Sequence, residues 1–270
     1  LGRFSKLETR AKSPGGDPAA SRASAPSNSN APPPVEEQAY DAAALLRQGD
    51  EAWFGGDAKK ALRFYSRAMQ EDAACLDAWI HQIRVLILTS QLSEAAVWIN
   101  RALSIFPDAP GLISLRAVHH ARGGMLRRAM ESSDAVLSKR GDDAGAWVAR
   151  GHILSIATNK NAEFCFEQAM KLTRADDWRT PFWIGLALDL ERKWSMSIHY
   201  YEQALARRGS LPYAWLRIAR AHANLGRAGA SRQALTRAEE TCGDNERLRA
   251  EIRRTGTGSI FGRLKALFSR

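Results

Sequence analysis

AAALLRQGDEAWFGGDAKKALRFYSRAMQEDAAC, residues 42–75, is the stretch from which the rest of the chain can be read. Its small residue Gly49 recurs every 34 residues as Ile83, Ala117, Gly151, Gly185 and Ala219, and only Ile83 is bulky. A second ladder, Ala68, Ala102, Val136, Ala204 and Ala238, keeps the same interval, with its fourth rung one residue early at Ala169. Two ladders in one register signal a stacked array of repeated units.

Inside the unit the pattern is helical. Leu45, Gln48, Gly49 and Ala52 share one face, and Ala61, Leu62, Tyr65, Ala68 and Met69 share another on the following segment. Gly55-Gly56-Asp57 separates the two runs. The glycines suit a tight turn and Asp57 suits a helix N-cap, so the unit reads as a helical hairpin. Gly49, Ala61 and Ala68 allow close approach of the two helices, while Leu62, Tyr65 and Met69 fill the space between them.

These residues resemble the tetratricopeptide repeat family, whose 34-residue pattern combines aromatics, Leu-Gly, alanines and a proline. The second unit carries Trp79, Leu86, Ala95, Ala102, Leu103 and Pro107, and the last carries Trp215, Ala219, Gly226 and Ala238. Trp79, Trp147 and Trp215 share one repeat position. The resemblance covers residues 42–245, in units starting near 42, 76, 110, 144, 178 and 212. It implies an all-α fold, an α-solenoid wound as a right-handed superhelix of about six helix-turn-helix repeats. The third unit has Ile113 at its start and Ser133 where Tyr65 sits, and the fourth is one residue short, so the middle is expected to be the least regular part.

The resemblance also implies where a partner binds. The groove-facing positions are Leu46, Asp50 and Trp53 in the first unit and Asp77, Ile80, Arg84 and Ile87 in the second. Ser114, Val118, Val148, His152 and Ser155 follow in the third and fourth units. Arg179, Phe182, Leu186 and Asp189 belong to the fifth, and Tyr213, Leu216 and Arg220 to the sixth. Such a groove suits an extended or helical peptide, with Arg84 and Arg220 available for a carboxylate. The clamp of Lys, Asn, Asn, Lys and Arg with which some family members hold chaperone C-termini is replaced here by Leu46, Asp50, His81, Gly111 and Leu115. That partner class is disfavoured.

The ends read differently. Residues 1–38 contain a Pro/Ser/Ala-rich run holding six of the ten prolines and are expected to be disordered, because they offer too little apolar surface to offset chain entropy. The other prolines, Pro107, Pro110, Pro181 and Pro212, fall at unit junctions or first helical turns, where a missing N–H costs little. A capping helix is expected over 244–254, with Leu248 and Ile252 facing inward and TGTG ending it. The tail over 255–270 places Ile260, Phe261, Leu264, Leu267 and Phe268 opposite Arg263 and Lys265. From Glu246 onward seven basic and two acidic residues contribute half of the net charge of +10. A second reading of function is therefore a peripheral adaptor whose basic amphipathic tail contacts an anionic membrane surface.

Chemistry is expected to be absent. No His or Cys pair has the three- or four-residue spacing of a helical metal site, and no glycine pair is followed by the Lys-Ser/Thr of a phosphate loop. The array uses nearly all of the ordered chain, so no enzyme, cofactor or metal is expected. Three cysteines without CxxC spacing, no signal-like segment and no apolar run of membrane-spanning length point to a soluble, cytoplasmic chain with reduced thiols. Nucleic acid is disfavoured despite a pI near 9.9, because most tryptophans occupy packing positions. The expected function is a non-catalytic protein-interaction scaffold, with oligomerisation left open.

Overall fold

The structure is a computed structural model that describes residues 41–256, and among these there are thirteen helices and no strand. The hairpins are α1 (Ala42–Phe54) with α2 (Ala58–Glu71), α3 (Leu76–Leu88) with α4 (Leu92–Ile105), and α5 (Pro110–Arg122) with α6 (Leu126–Lys139). They continue as α7 (Ala144–Ile156) with α8 (Ala162–Leu172), α9 (Arg179–Leu190) with α10 (Trp194–Arg207), and α11 (Pro212–Asn224) with α12 (Ala228–Thr241). A last helix, α13, spans 246–256. It begins two residues later than the sequence suggests and runs through Thr255 and Gly256, where a break was expected. The expected disordered segment and the tail residues Ile260, Phe261, Arg263, Leu264, Lys265, Leu267 and Phe268 lie outside the described residues.

One turn geometry builds all six hairpins. Gly56, Ser90, Gly124, Thr158, Arg192 and Gly226 have φ of +83°, +62°, +81°, +54°, +58° and +72°. The residue after each donates its N–H to a carbonyl five residues back, as in Asp57 to Ala52 (2.8 Å) and Lys193 to Leu188 (2.8 Å). This is the left-handed helix stop that satisfies carbonyls left over at a C-terminus. It is a third ladder with a 34-residue period, and half of its rungs are not glycine. Asp57 then caps α2 by accepting from the Lys60 N–H at 3.0 Å.

Within a hairpin the paired helices match volumes. A Cβ at Gly49 would sit 2.4 Å from Tyr65, at Gly151 2.4 Å from Phe166, and at Gly185 2.7 Å from Tyr201. Glycine is required there because a fully buried ring lies against the backbone. The ladder's departures follow the same rule. Ile83 falls in register with Ile99, and Ala117 with Ser133, so larger residues on the first helix pair with smaller ones on the second.

Neighbouring first helices pack on one another along α3, α5, α7 and α9, and α3 also reaches α9 directly. The curvature is tight enough to close the array. Trp53 stacks on Trp183, with ring centroids 5.6 Å apart and planes 13° from parallel. Phe54 meets Trp178 edge-on at 4.5 Å and Phe182 at 5.3 Å. Trp178 sits in the loop 173–178, which is longer than the other connections between hairpins and delivers its indole to this contact. From the other side, Asn245 Nδ2 donates to the Gly55 carbonyl at 2.9 Å, Arg247 pairs with Asp57, and Gly56 faces Tyr213 and Leu248. Thus α13 buries Leu248 and Ile252 over the sixth hairpin and in addition touches the first turn of the array.

Candidate functional site

The first helices of the second to fifth hairpins line a half-open cavity of about 430 Å³. Ile80, Ile87, Val118 and Val148 form its apolar wall, and Arg84, His152, Arg179 and Trp183 bring the polar and aromatic groups. These side chains converge because helical spacing repeats them on the inner stripe of each first helix. Asp77, Asp143 and Asp177 stand at the N-terminal ends of α3, α7 and α9 and rim the cavity. Two of them have local duties. Asp143 accepts from the Gly145 N–H at 2.7 Å, and Asp177 accepts from the Arg179 N–H at 2.9 Å and the Thr180 hydroxyl at 2.6 Å.

The opposite ends of the same helices are tied together. Arg122, at the end of α5, donates to Glu191 at 3.0 Å and to the Ser90 hydroxyl at 3.2 Å. His152 Nε2 lies 3.3 Å from the same Glu191 oxygen, which fits the tautomer protonated on Nε2. Burial works against the Glu191 carboxylate, yet the hydrogen bond and charge of His152 together with Arg122 hold its pKa below the ordinary value. Beside the cavity, Asp50 lies 2.7 Å from His81 Nδ1 and accepts from the Tyr65 hydroxyl at 2.9 Å. Burial again opposes, but His81 and Tyr65 prevail and the Asp50 pKa is lowered.

Arg84 differs from these paired groups. Its guanidinium lies 4.7 Å over the Trp183 ring, and among the described residues no hydrogen bond or ion pair neutralises it. Burial lowers its pKa, but an arginine keeps its charge at neutral pH. The cavity therefore offers a half-buried cation stacked on an indole within an apolar wall, behind an acidic rim.

Of the groove positions expected from the sequence, Ile80, Arg84, Ile87, His152 and Arg179 line this cavity. Others are corrected. Trp53, Phe182, Leu216, Tyr213, Leu186 and Asp189 are buried, because the first hairpin and α13 cover the inner face of the fifth and sixth hairpins. Asp189 pairs with Arg217 and accepts from the Tyr201 hydroxyl at 3.2 Å; burial pushes its pKa up against the pull of Arg217. Arg220 is not available for a ligand, since it pairs with Glu251 of α13 at 2.6 Å and reaches the Thr255 hydroxyl at 3.3 Å. Asp50 is spent on His81 and Tyr65, and Leu46 packs between two parts of the core.

Sequence reasoning missed Trp183 as a lining residue and named His81, Gly111 and Leu115, which also line the cavity, only as occupants of the clamp positions. In α9 the inward side is Thr180, Trp183 and Ala187, one residue on from the expected Phe182 and Leu186, which turn toward the first hairpin. The density of rings at Trp178, Phe182 and Trp183 was the available signal.

Stacked helical hairpins around an inner cavity, with no cluster of metal-ligating side chains among the described residues, define an α-solenoid of the helical-repeat class. A tetratricopeptide repeat model matches residues 46–110 and 184–246, and both of these stretches are tetratricopeptide repeats. The match passes over the third hairpin, where Ile113 and Ser133 stand in for aromatics, and the fourth, where Trp147 and Phe166 keep the rings but the unit is one residue short; the turns of both keep the same geometry.

Among solved structures, the Cut9–Hcn1 hetero-tetramer of APC/C is similar at 15% identity and a TM-score of 0.45, over 82% of this chain and 44% of that one. This chain thus spans less than half of that structure's chain. A tetratricopeptide repeat protein from Parabacteroides merdae is similar at 14% identity and a TM-score of 0.42, over 80% of this chain and 87% of that one. A thermophilic one from Thermus thermophilus is similar at 14% identity and a TM-score of 0.43, over 79% and 98%. No protein of curated function matches the sequence.

Proposed function

We propose that the array is a non-catalytic scaffold that holds a segment of a protein partner in the cavity between α3, α5, α7 and α9. The observation that supports this reading is Arg84, a cation on the inner face whose contact among the described residues is the Trp183 ring. A half-buried arginine with no direct ion pair among the described residues suits an acidic side chain or terminal carboxylate, since charge-assisted hydrogen bonds in low-dielectric surroundings are the strong ones. Ile80, Ile87, Val118 and Val148 supply pockets for the apolar side chains beside it. At about 430 Å³ the space takes a few side chains rather than a domain.

A random peptide library selected on the intact protein supplies the ligand for the test. Selected peptides should share an acidic group near aliphatic residues and lose at least tenfold in affinity on Arg84→Ala and on Val118→Arg. Peptides that bind both variants as tightly as the parent protein would show that the segment lies elsewhere.

A further inference from the structure

The inner face of the fifth and sixth hairpins is occupied by the protein's own first hairpin. Trp53 falls one repeat before Ile87, a cavity-lining position, and spends its ring on Trp183 instead of on a ligand. Phe54 occupies the shelf made by Trp178 and Phe182, and Tyr213 closes on Trp53 from α11 at 6.5 Å.

This seam is built differently from the joints between successive hairpins. It links segments far apart in the chain, so no short connection holds it together. Its outer contacts are the Asn245 side chain on the Gly55 carbonyl and the partly exposed pair Arg247–Asp57. At its centre the Trp53 indole Nε1 is buried with no hydrogen-bond partner, and a buried donor left unsatisfied costs about 1–3 kcal/mol. An apolar contact weakened by an unsatisfied donor and edged by partly exposed polar links is poised to part before the hairpin joints do.

We infer that this seam is a latch: the array closes on itself through Trp53 and Phe54, and it must open there to admit a segment longer than the cavity. The closed form takes only what fits between α3, α5, α7 and α9. The open form exposes an aromatic shelf of Trp178, Phe182, Trp183 and Tyr213 contiguous with the cavity wall at Trp183. The inference rests on the binding proposed above only for what the opening serves, since the closure is measurable without a ligand.

A cysteine pair tests it in the full chain. A Cβ at Gly55 would lie 3.2 Å from Asn245 Nδ2, so Gly55→Cys with Asn245→Cys brings two thiols within bridging reach. In glutathione buffer the pair should form an intramolecular disulfide. Adding Trp53→Ala and Phe54→Ala should lower the pair's effective concentration at least tenfold while helical circular dichroism is kept. Should that variant lose its helicity, Arg247→Glu replaces it; this places like charges at Asp57 and should lower the value several-fold at low salt, with recovery at high salt. No disulfide in the pair, or values unmoved by the aromatic and the charge variants alike, would overturn the latch.

Hydrogen exchange gives the energetic half. Residues 42–57 should exchange through an opening of lower free energy than α5 to α8, and the oxidised pair should abolish the difference. Equal free energies would mean one cooperative core and no latch. Finally, library peptides longer than the cavity should bind at least tenfold more weakly to the oxidised pair than to the reduced one. Unchanged affinity would sink the latch while leaving the cavity as the binding site, whereas loss on Arg84→Ala alone reads only the cavity.

Discussion

Trp53 of the first hairpin lies flat against Trp183 of the fifth, rings 5.6 Å apart, at the centre of the contacts that turn a row of hairpins into a closed circuit. The same indole has a buried N–H with no acceptor, whereas Trp79 donates its Nε1 to the Ala73 carbonyl at 3.1 Å. The two tryptophans should therefore respond differently to loss of that nitrogen. Trp53→Phe removes an unsatisfied donor along with volume and should cost less than about 1.5 kcal/mol. Trp79→Phe removes a made bond as well and should cost more, about 2 kcal/mol. Urea midpoints of the two variants decide the order.

Glycines that face rings should not tolerate a methyl group. Gly49→Ala, Gly151→Ala and Gly185→Ala each drive a Cβ into Tyr65, Phe166 or Tyr201, and should each destabilise by about 1–3 kcal/mol. Gly229 lies in α12, where an added Cβ would meet no atom within 4 Å, so Gly229→Ala should stabilise by up to about 1 kcal/mol. Thermal denaturation of the four single variants checks the opposite signs.

The turns hold a reserve of stability. Thr158 and Arg192 adopt φ of +54° and +58°, where a side chain is penalised and a β-branched one most of all. Thr158→Gly should raise stability by about 1 kcal/mol, and Arg192→Gly by somewhat less, with no change in helix content. Loss of stability in both, read from denaturant unfolding, would mean that these turns are held by their side chains.

Acid should weaken the array through two carboxylates. The pKa values of Asp50 and Glu191 are lowered from 3.8 and 4.5, so their stabilisation is present above those values and lost as pH falls through the lowered ones. The pKa of Asp189 is raised, so it contributes with the opposite sign. Asp50→Asn should be less stable than the parent protein at pH 7 and should lose less on going to pH 3. Parallel pH curves for the two proteins would contradict the role given to the His81 and Tyr65 contacts.

The hairpins were legible in the sequence because close helix approach demands small residues at fixed spacing, as at Gly49, Gly151 and Gly185. The full turn ladder was not, because Ser90, Thr158 and Arg192 take a conformation that composition alone assigns to glycine. What each inner stripe meets was not legible. An inward stripe looks the same whether it meets solvent, a ligand or another hairpin, and closure depends on curvature summed over several joints. Trp53 and Arg220 were placed on the inner face by their repeat positions, yet one meets Trp183 and the other Glu251. Arg84 has the same kind of repeat position and makes no direct hydrogen bond or ion pair among the described residues, with Asp50, Asp77 and Asp143 acting on its charge only at a distance.

The most direct measurement is photo-crosslinking of a library-selected peptide to single sites on the intact protein. A benzophenone side chain at Val118 or Val148, inside the cavity, should capture the peptide, and one at the exposed Val97 of α4 should not. Capture at Val97 with none at Val118 or Val148 would contradict the assignment of the inner cavity as the place where a partner is held.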